Sequence, residues 1–168
     1  NPWYNHFMAE RQIGSYRSNN MVELREITSA NLDDVLNLQI FEYQDKFVSS
    51  TAHALAQAYV YHETAFPFAI YAGDTLVGFI MLGYYKSRNQ YTLWKFLIDK
   101  QYQKKGYGKE ALMRGIAYLK EKFNVREIYT GVLLGNEIAK HLYKSVGFVE
   151  TGIIEDNMTE MVCLFSEI

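Results

Sequence analysis

Hydrophobic and polar positions change their period several times along the chain, and each change predicts a helix or a strand. Alternation of apolar and charged side chains, as in 21–27, is typical of a half-buried strand, whereas apolar residues three or four positions apart are typical of a helix. The patterns predict, in order, a strand at 21–27, helices at 32–40 and 51–62, strands at 68–71, 76–84 and 91–98, a long helix entered at Gly106 and Gly108, a strand at 127–134, a short helix after Asn136, and strands at 148–154 and 159–165. This order predicts an α/β (α+β) fold whose mixed sheet is antiparallel early and parallel in its crossover units.

Composition narrows the class of protein. The chain has 168 residues, which is one ordinary domain, and its hydrophobic fraction of 49% is that of a globular protein. Its 17 basic and 19 acidic residues do not supply the bulk positive charge of a nucleic-acid binder. The chain also has no run of about 18 apolar residues, which a membrane-spanning helix needs. Neither nucleic acid nor a membrane is therefore expected as a partner.

The first residues differ in pattern from the rest. Residues 1–20 mix aromatic, basic and polar side chains, and a regular period starts only at Met21. We interpret 1–20 as a leader or tag-like extension and 21–168 as a single domain. The leader lacks the apolar region of a signal peptide, and the lone Cys163 excludes an internal disulfide or a cysteine-based zinc site. A cytoplasmic location is therefore expected.

Segment 97–109 carries the clearest chemical signal. An apolar strand ending at Ile98 leads through a short loop to a helix whose start is marked by Gly106 and Gly108. Free N–H groups at a helix start bind anionic oxygens, and glycine lets the backbone approach them closely. Positive charge is added by Lys104, Lys105 and Lys109. The segment predicts a pyrophosphate cradle that is neither a P-loop nor a dinucleotide fingerprint, although an ordinary helix entry with solvated lysines has the same pattern.

A second segment, 136–148, follows one strand further on. Asn136 and Tyr143 are seven residues apart, which is two helical turns, so they share one helix face. Taken alone, Asn136 is a helix cap and Tyr143 a packed aromatic residue. The four histidines of the chain are scattered without the spacing of shared metal ligands, so no metal site is predicted.

Together the two segments resemble the coenzyme A motifs of the GNAT superfamily of N-acetyltransferases. The first motif, Q-x-x-G-x-G, is formed by Gln103, Gly106 and Gly108, and the second, N-x-x-A-x-x-L-Y-x-x-x-G-F, runs from Asn136 to Phe148. The resemblance covers essentially all of 21–168. It implies the GNAT fold, a mixed sheet flanked by helices and splayed between its fourth and fifth strands, with acetyl-CoA as co-substrate in the gap.

The resemblance also implies roles for individual residues. Tyr143 would protonate the leaving thiolate as a general acid, and Asn136 would reach the pantetheine arm, with which the backbone of Leu97 and Ile98 would pair. The pyrophosphate would contact the loop and helix start formed by Gln103, Lys104, Lys105, Gly106, Tyr107, Gly108 and Lys109. Lys140 and Lys144 would add positive charge around the phosphates.

A narrower resemblance concerns the amine that accepts the acetyl group. Residues 94–99, 42–48 and 150–156 resemble bacterial diamine and spermine/spermidine acetyltransferases. A polyamine needs spaced carboxylates and aromatic walls for its ammonium groups and methylene chain. Substrate contacts are expected from Glu42, Asp45, Tyr91 and Trp94, and further groups of the right types are Tyr43, Tyr61, Glu63, Glu155 and Asp156.

Several alternatives stay open at this stage. The acceptor could instead be a protein N-terminus or lysine, an aminoglycoside or an amino acid. A coenzyme A-binding regulatory domain without activity is the alternative from another class, which the presence of both Asn136 and Tyr143 disfavours. The general base is open because 91–98 carries no Asp or Glu, and Asp99, Glu42 and Asp45 are candidates. A homodimer is expected by analogy with the superfamily.

Overall fold

The computed structural model describes residues 22–165, so the expected leader at 1–20, together with Met21, lies outside the described residues. The elements within this range follow the predicted order. They are β1 (Val22–Arg25), α1 (Leu32–Leu36), α2 (Thr51–Val60), β2 (Ala65–Ala72), β3 (Thr75–Tyr85), β4 (Gln90–Ile98), α3 (Tyr107–Phe123), β5 (Glu127–Leu133), α4 (Glu137–Ser145), β6 (Val149–Glu155) and β7 (Met158–Leu164). Short 3-10 helices lie at Glu42–Gln44 and Lys100–Tyr102.

The seven strands form one mixed sheet. Their order is β1-β2-β3-β4-β5-β7-β6. The pairs are antiparallel except for β4 and β5, which run parallel. A parallel pair needs a long crossover connection, and α3 supplies it. The predicted α/β class with a mixed sheet flanked by helices is confirmed.

Apolar side chains cover both faces of the sheet. On one face, residues of α3 such as Leu112 and Leu119 pack with Ile80 and Leu82 of β3. On the other face, a second cluster joins α1, α2 and the sheet through Val35, Ala54, Ala58, Phe79 and Met81. Successive residues of a strand point to opposite faces, so β3 and β4 contribute to both clusters. No helix among residues 22–165 is both long and apolar enough to span a membrane.

Two predicted boundaries differ from the structure by three residues or more. The helix predicted at 32–40 ends at Leu36, because the following backbone bonds the end of β4 instead: Gln39 N–H donates to Asp99 Oδ2 at 2.9 Å, and Lys100 N–H donates to Gln39 C=O at 2.7 Å. β2 begins at Ala65 rather than at 68, so it includes Pro67. The ladder with β1 reaches only Ala69, which leaves Pro67 at an edge position where its missing N–H costs no ladder bond.

Candidate functional site: a splayed sheet with two joined cavities

β4 and β5 separate soon after they meet. Their parallel ladder consists of the pairs Thr92–Tyr129 and Leu93–Thr130, beyond which the strands part. Asp99 N–H donates to Val77 C=O on β3 at 2.8 Å. Because backbone groups alternate sides along a strand, the N–H groups of Phe96 and Ile98 face the gap instead. The splay implied by the resemblance is therefore present, and β4 offers free backbone donors along it.

A β-bulge at Trp94 shapes the same stretch of β4. The register with β3 shifts between the pairs Met81–Lys95 and Leu82–Leu93, so Trp94 is the extra residue. Its indole lies directly on Gly83, where a Cβ would come within 2.2 Å of the ring. Met81 and the indole both pack in the cluster on the α2 face. The bulge therefore puts Trp94 and Lys95 on the α2 side of the sheet, facing away from α3.

A cavity of about 610 Å³ occupies the gap, and we call it the donor cavity. Its walls are formed by β4, β5, α4, the loop and helix start at 103–109, and the segment 40–49 before α2. Of the residues predicted to bind the coenzyme, those that line it are Leu97, Ile98, Gln103, Lys104, Gly106, Gly108, Lys109 and Asn136, together with the predicted acid Tyr143. The two sequence motifs therefore converge on one cavity.

The start of α3 has the free donors of an anion site. Gly106 has a φ of 85° in the left-handed region and provides no side-chain cap, whereas Ser50 caps α2 and Asn136 caps α4. Among the described residues, the N–H groups of 104–109 have no hydrogen-bond acceptor, and the first helical bond runs from Glu110 N–H to Gly106 C=O at 3.3 Å. Lys104 and Lys109 line the cavity beside them. This geometry fits a pyrophosphate.

Gln103 fixes the loop that precedes this helix start. Its Nε2 donates to Ile98 C=O at 2.9 Å and to Gln44 Oε1 at 2.9 Å. Asp99 closes the other side of the loop, because its carboxylate accepts from Gln101 N–H and Gln39 N–H, both at 2.9 Å. Asp99 is buried and both of its oxygens are engaged, so it acts as a helix cap rather than as a free base.

Tyr143 is buried at the wall of the donor cavity. Its side chain is 8% exposed and its ring packs against Phe148, with centroids 5.8 Å apart. Burial raises the pKa of its phenol far above the ordinary value, so the hydroxyl keeps its proton at neutral pH. Within residues 22–165 the hydroxyl has no hydrogen-bond partner. A protonated, unpaired hydroxyl beside the gap can donate to a developing thiolate.

Asn136 has the cap position that the sequence indicated. Its Oδ1 accepts from Ala139 N–H at 3.3 Å, which orients the amide at the start of α4. The side chain is half-buried and borders the donor cavity. The capping role and a contact with a bound pantetheine use different atoms of the amide, Oδ1 and Nδ2.

The structure does not bring every predicted residue to a cavity. Lys140 and Lys144 form ion pairs with Glu150 at 3.1 and 2.9 Å, outside the lining of the donor cavity. Tyr91 packs against Tyr84 and Phe123, on the α3 face of the sheet. Four further predicted residues line neither this cavity nor the second one described below: Glu42, Asp45, Lys105 and Tyr107. The two acids are exposed. The ammonium group of Lys105 lies over the ring of Tyr102, and Tyr107 packs on the core.

A second cavity, about 980 Å³, opens on the other side of the same wall, and we call it the acceptor cavity. It shares six lining residues with the donor cavity: Leu93, Trp94, Lys95, Thr130, Gly131 and Met158. It also brings together Tyr61, Glu63, Glu155 and Asp156, which are candidates from the sequence, and Glu160, which no sequence pattern indicates. The carboxylates come from the ends of α2, β6 and β7, so no sequence spacing indicates their proximity.

Ion pairs already hold most of these carboxylates. Lys86 pairs with Glu63 at 3.5 Å, and Arg88 pairs with Glu155 and, at 3.8 Å, with Glu160. Aromatic walls complete the cavity: the Trp94 indole meets Tyr61 edge-on, with centroids 6.2 Å apart, and lies 5.4 Å from the ring of Tyr85. Within the described range, no three His, Cys, Asp or Glu side chains group as metal ligands.

Comparison with known proteins gives the family and the fold. Residues 32–148 match the family described as Acetyltransferase (GNAT) family. A probable spermine N(1)-acetyltransferase from Bacillus subtilis subsp. natto (strain BEST195) is 31% identical over 142 residues, 81% of this chain and 93% of that protein. Spermidine N-acetyltransferase from Vibrio cholerae in complex with CoA and spermine has a TM-score of 0.69 at 21% identity, covering 87% of this chain and 96% of that chain. A dodecameric structure of spermidine N-acetyltransferase from the same organism has a TM-score of 0.63 at 23% identity, covering 87% and 95%.

Proposed function

The chain belongs to the GNAT acetyltransferase family, and from this premise we propose that it transfers the acetyl group of acetyl-CoA to a primary amine of a polyamine or diamine. The observation that carries the proposal is the shared wall of the two cavities. An acetyl thioester held in the donor cavity would present its carbonyl at the bulge of β4, where an amine can reach it from the acceptor cavity. Such positioning replaces a bimolecular encounter by a local one.

The geometry of the donor cavity supports a role for each of its polar groups. The amides at the start of α3, with Lys104 and Lys109, bind the pyrophosphate. The N–H groups of Phe96 and Ile98 face the gap, where they would meet the pantetheine arm and the carbonyl and stabilise the oxyanion that forms on attack. Tyr143 then donates a proton to the thiolate as the C–S bond breaks.

Support for a polyamine comes from the acceptor cavity and from the relatives. Four carboxylates share the two cations Lys86 and Arg88, so the cavity keeps a negative balance that attracts a flexible cation. The rings of Tyr61, Tyr85 and Trp94 offer cation–π contacts to it. Asp156 has no ion pair among residues 22–165, so it is free to bind an ammonium group. Two of the relatives compared above are a probable spermine N(1)-acetyltransferase and a spermidine N-acetyltransferase.

The test is release of thiol from acetyl-CoA with a panel of acceptors. Spermine, spermidine and putrescine are compared with a peptide bearing a free N-terminus, an aminoglycoside and a simple monoamine. We expect the highest kcat/KM with spermine or spermidine. Preference for the peptide or the aminoglycoside would overturn the polyamine assignment, and no acceptor-dependent release from any compound would overturn the activity.

A substitution pair sharpens the acceptor test. Asp156→Asn removes an unpaired carboxylate and should raise KM for spermidine several-fold while leaving KM for the monoamine unchanged. Asp74→Asn is the control, because Asp74 is exposed in the turn between β2 and β3, where it pairs with Arg25 at 3.6 Å and lines neither cavity. Equal effects of the two variants on KM for spermidine would contradict a role for Asp156 in binding an ammonium group of the polyamine other than the one that is acetylated.

We also propose that the protein forms a homodimer and acts in the cytoplasm. β6 is the last strand of the sheet order, and its exposed Val149, Ile153 and Ile154 leave an apolar edge that pairing would cover. Light scattering after size exclusion tests the dimer, and a monomer or a dodecamer would overturn it.

The lone thiol of Cys163 supports a reducing compartment, and fractionation of cells that express the protein tests the location.

A further inference from the structure

The two cavities meet at a lysine that the proposed chemistry has not yet used. Lys95 lies on β4 beside the bulge and lines both cavities. It is half-buried and, among residues 22–165, it makes no ion pair and no hydrogen bond through its side chain. Its ammonium group therefore loses part of its hydration without gaining a charged partner.

Resting on the proposed acetyl transfer, we propose that Lys95 accepts the proton which the acceptor ammonium loses before its nitrogen attacks. The acceptor amine enters from the cavity that Lys95 borders, and the thioester lies on the other side of the same residue. In its neutral form Lys95 Nζ carries a lone pair and is a proton acceptor. No carboxylate on β4 competes for this role, since 91–98 carries no Asp or Glu.

Burial supports this assignment by lowering the pKa of the Lys95 ammonium below its ordinary value. The surrounding acids favour the protonated form of Lys95, and the surrounding bases favour its neutral form. From the acceptor cavity, Lys95 faces the acids Glu63, Glu155, Asp156 and Glu160 and the bases His62, Lys86 and Arg88, with phenols at Tyr61, Tyr84, Tyr85 and Tyr129. From the donor cavity it faces Lys104, Lys109, His141, Tyr43 and Tyr143. Lys86 and Arg88 balance the charge of two of these four acids, and an arriving polyamine adds further positive charge, which favours neutral Lys95.

The proton balance closes without another reactant. One proton moves from the acceptor ammonium to Lys95, and the free amine forms the C–N bond to the acetyl carbon. The C–S bond breaks, and the thiolate takes a proton from Tyr143, which regains one from the new amide nitrogen through solvent. Lys95 releases its proton to water, so each turnover yields one acetylamide, one thiol and one proton.

The first test is the pH dependence of kcat/KM for wild type and Lys95→Met. The variant should be about 10²-fold or more slower at pH 7, because a positioned base is lost. Its rate should then rise tenfold per pH unit toward the pKa of the acceptor itself, whereas the wild type levels off earlier. With a weakly basic amine such as trifluoroethylamine, which is already neutral at pH 7, the deficit should nearly vanish. Lys95→Arg should behave like the methionine variant, since arginine stays protonated.

Controls separate a base from a binding or structural role. Lys100→Met, at an exposed lysine just beyond β4, should keep wild-type rates. A raised acceptor KM with an unchanged pH profile, or full activity of Lys95→Arg, would overturn the assignment and leave Lys95 as a charged contact.

A second measurement does not depend on activity. Reductive methylation with ¹³C-formaldehyde labels the lysines, and the resonance missing from Lys95→Met identifies residue 95. We expect this resonance to titrate below the ordinary lysine pKa of about 10.4. Titration at the ordinary value would overturn the role of Lys95 without affecting the proposed function. Absence of acetyl transfer by the wild type would instead overturn the proposed function.

Discussion

The side-chain amides of Gln44 and Gln103 bond each other reciprocally. Gln103 Nε2 donates to Gln44 Oε1 at 2.9 Å, and Gln44 Nε2 donates to Gln103 Oε1 at 3.3 Å. Gln103 also donates to the carbonyl of Ile98. The pair therefore ties the segment before α2 to the loop that leads into α3, and both residues border the donor cavity.

Gln103→Ala should weaken coenzyme binding by loosening this loop. Loss of its hydrogen bonds should lower the free energy of unfolding by about 1–2 kcal/mol and raise KM for acetyl-CoA several-fold, with a smaller change in kcat. Steady-state kinetics and urea unfolding measure both effects. The control is Gln101→Ala, whose exposed side chain leaves the Gln101 N–H bond to Asp99 intact. An unchanged KM in Gln103→Ala would contradict the role of the loop.

Tyr143→Phe tests the proposed acid. We expect kcat to fall by about 10²-fold, while KM for acetyl-CoA stays near the wild-type value, because the ring and its packing on Phe148 are kept. The raised pKa of Tyr143 keeps the phenol protonated well above pH 7, so deprotonation of this acid should cause no loss of rate between pH 7 and 9. Tyr118→Phe removes a hydroxyl on α3 that bonds Lys122 and should leave kcat unchanged. Equal kcat values for Tyr143→Phe and the wild type would exclude the acid role.

Local patterns were sufficient for the elements and for the donor cavity. The coenzyme motifs lie within short stretches of sequence, and each stretch folds as a loop and helix whose periodicity reveals the shared face of Asn136 and Tyr143. The end of α1 could not be predicted in this way, because it depends on a bond between Gln39 and Asp99, 60 residues apart.

The acceptor cavity depends on contacts that the sequence does not encode locally. Glu63 pairs with Lys86 and Arg88 pairs with Glu155, and the sheet order is what brings these separate segments together. Regular alternation along β4 would put Trp94 and Lys95 on opposite faces. The bulge, with Gly83 making room for the indole, puts both on the α2 side, and the alternation pattern alone does not predict this.

Two substitutions at Asn136 separate its capping role from a ligand contact. Asn136→Ala removes the cap of α4 and should destabilise the protein by about 1 kcal/mol, whereas Asn136→Ser keeps an oxygen that can cap. Both variants lack Nδ2. If Nδ2 bonds the pantetheine arm, KM for acetyl-CoA should rise in both variants, but the melting temperature should fall mainly in Asn136→Ala. A raised KM that appears only in the alanine variant would assign the residue to helix capping alone.

Gly106→Ala tests the cradle through backbone conformation. A Cβ at Gly106 meets nothing within 4 Å, so the cost comes from the left-handed φ of 85°, and we expect about 1 kcal/mol of destabilisation. Gly73→Ala is the matched control, with a φ of 60° and equally open space in the β2–β3 turn. Both variants should lose stability, but only Gly106→Ala should raise KM for acetyl-CoA, because it shifts the amides that face the phosphates. The same increase in Gly73→Ala would attribute the effect to general destabilisation.

Glu150 links stability to pH through its two lysine partners. Hydrogen bonds from Lys144 and Lys140 hold the pKa of Glu150 below its ordinary value of 4.5, so the folded protein favours the charged carboxylate. This stabilisation is complete above the unfolded pKa and is lost as pH falls through the lower folded pKa. Glu150→Gln should therefore lower the melting temperature modestly at pH 7, and the difference from wild type should shrink as pH falls below about 4. Glu26→Gln, at an exposed glutamate without an ion pair in the described range, should show no such pH dependence. A difference between Glu150→Gln and the wild type that stays constant down to pH 3 would show that the ion pairs contribute nothing to stability.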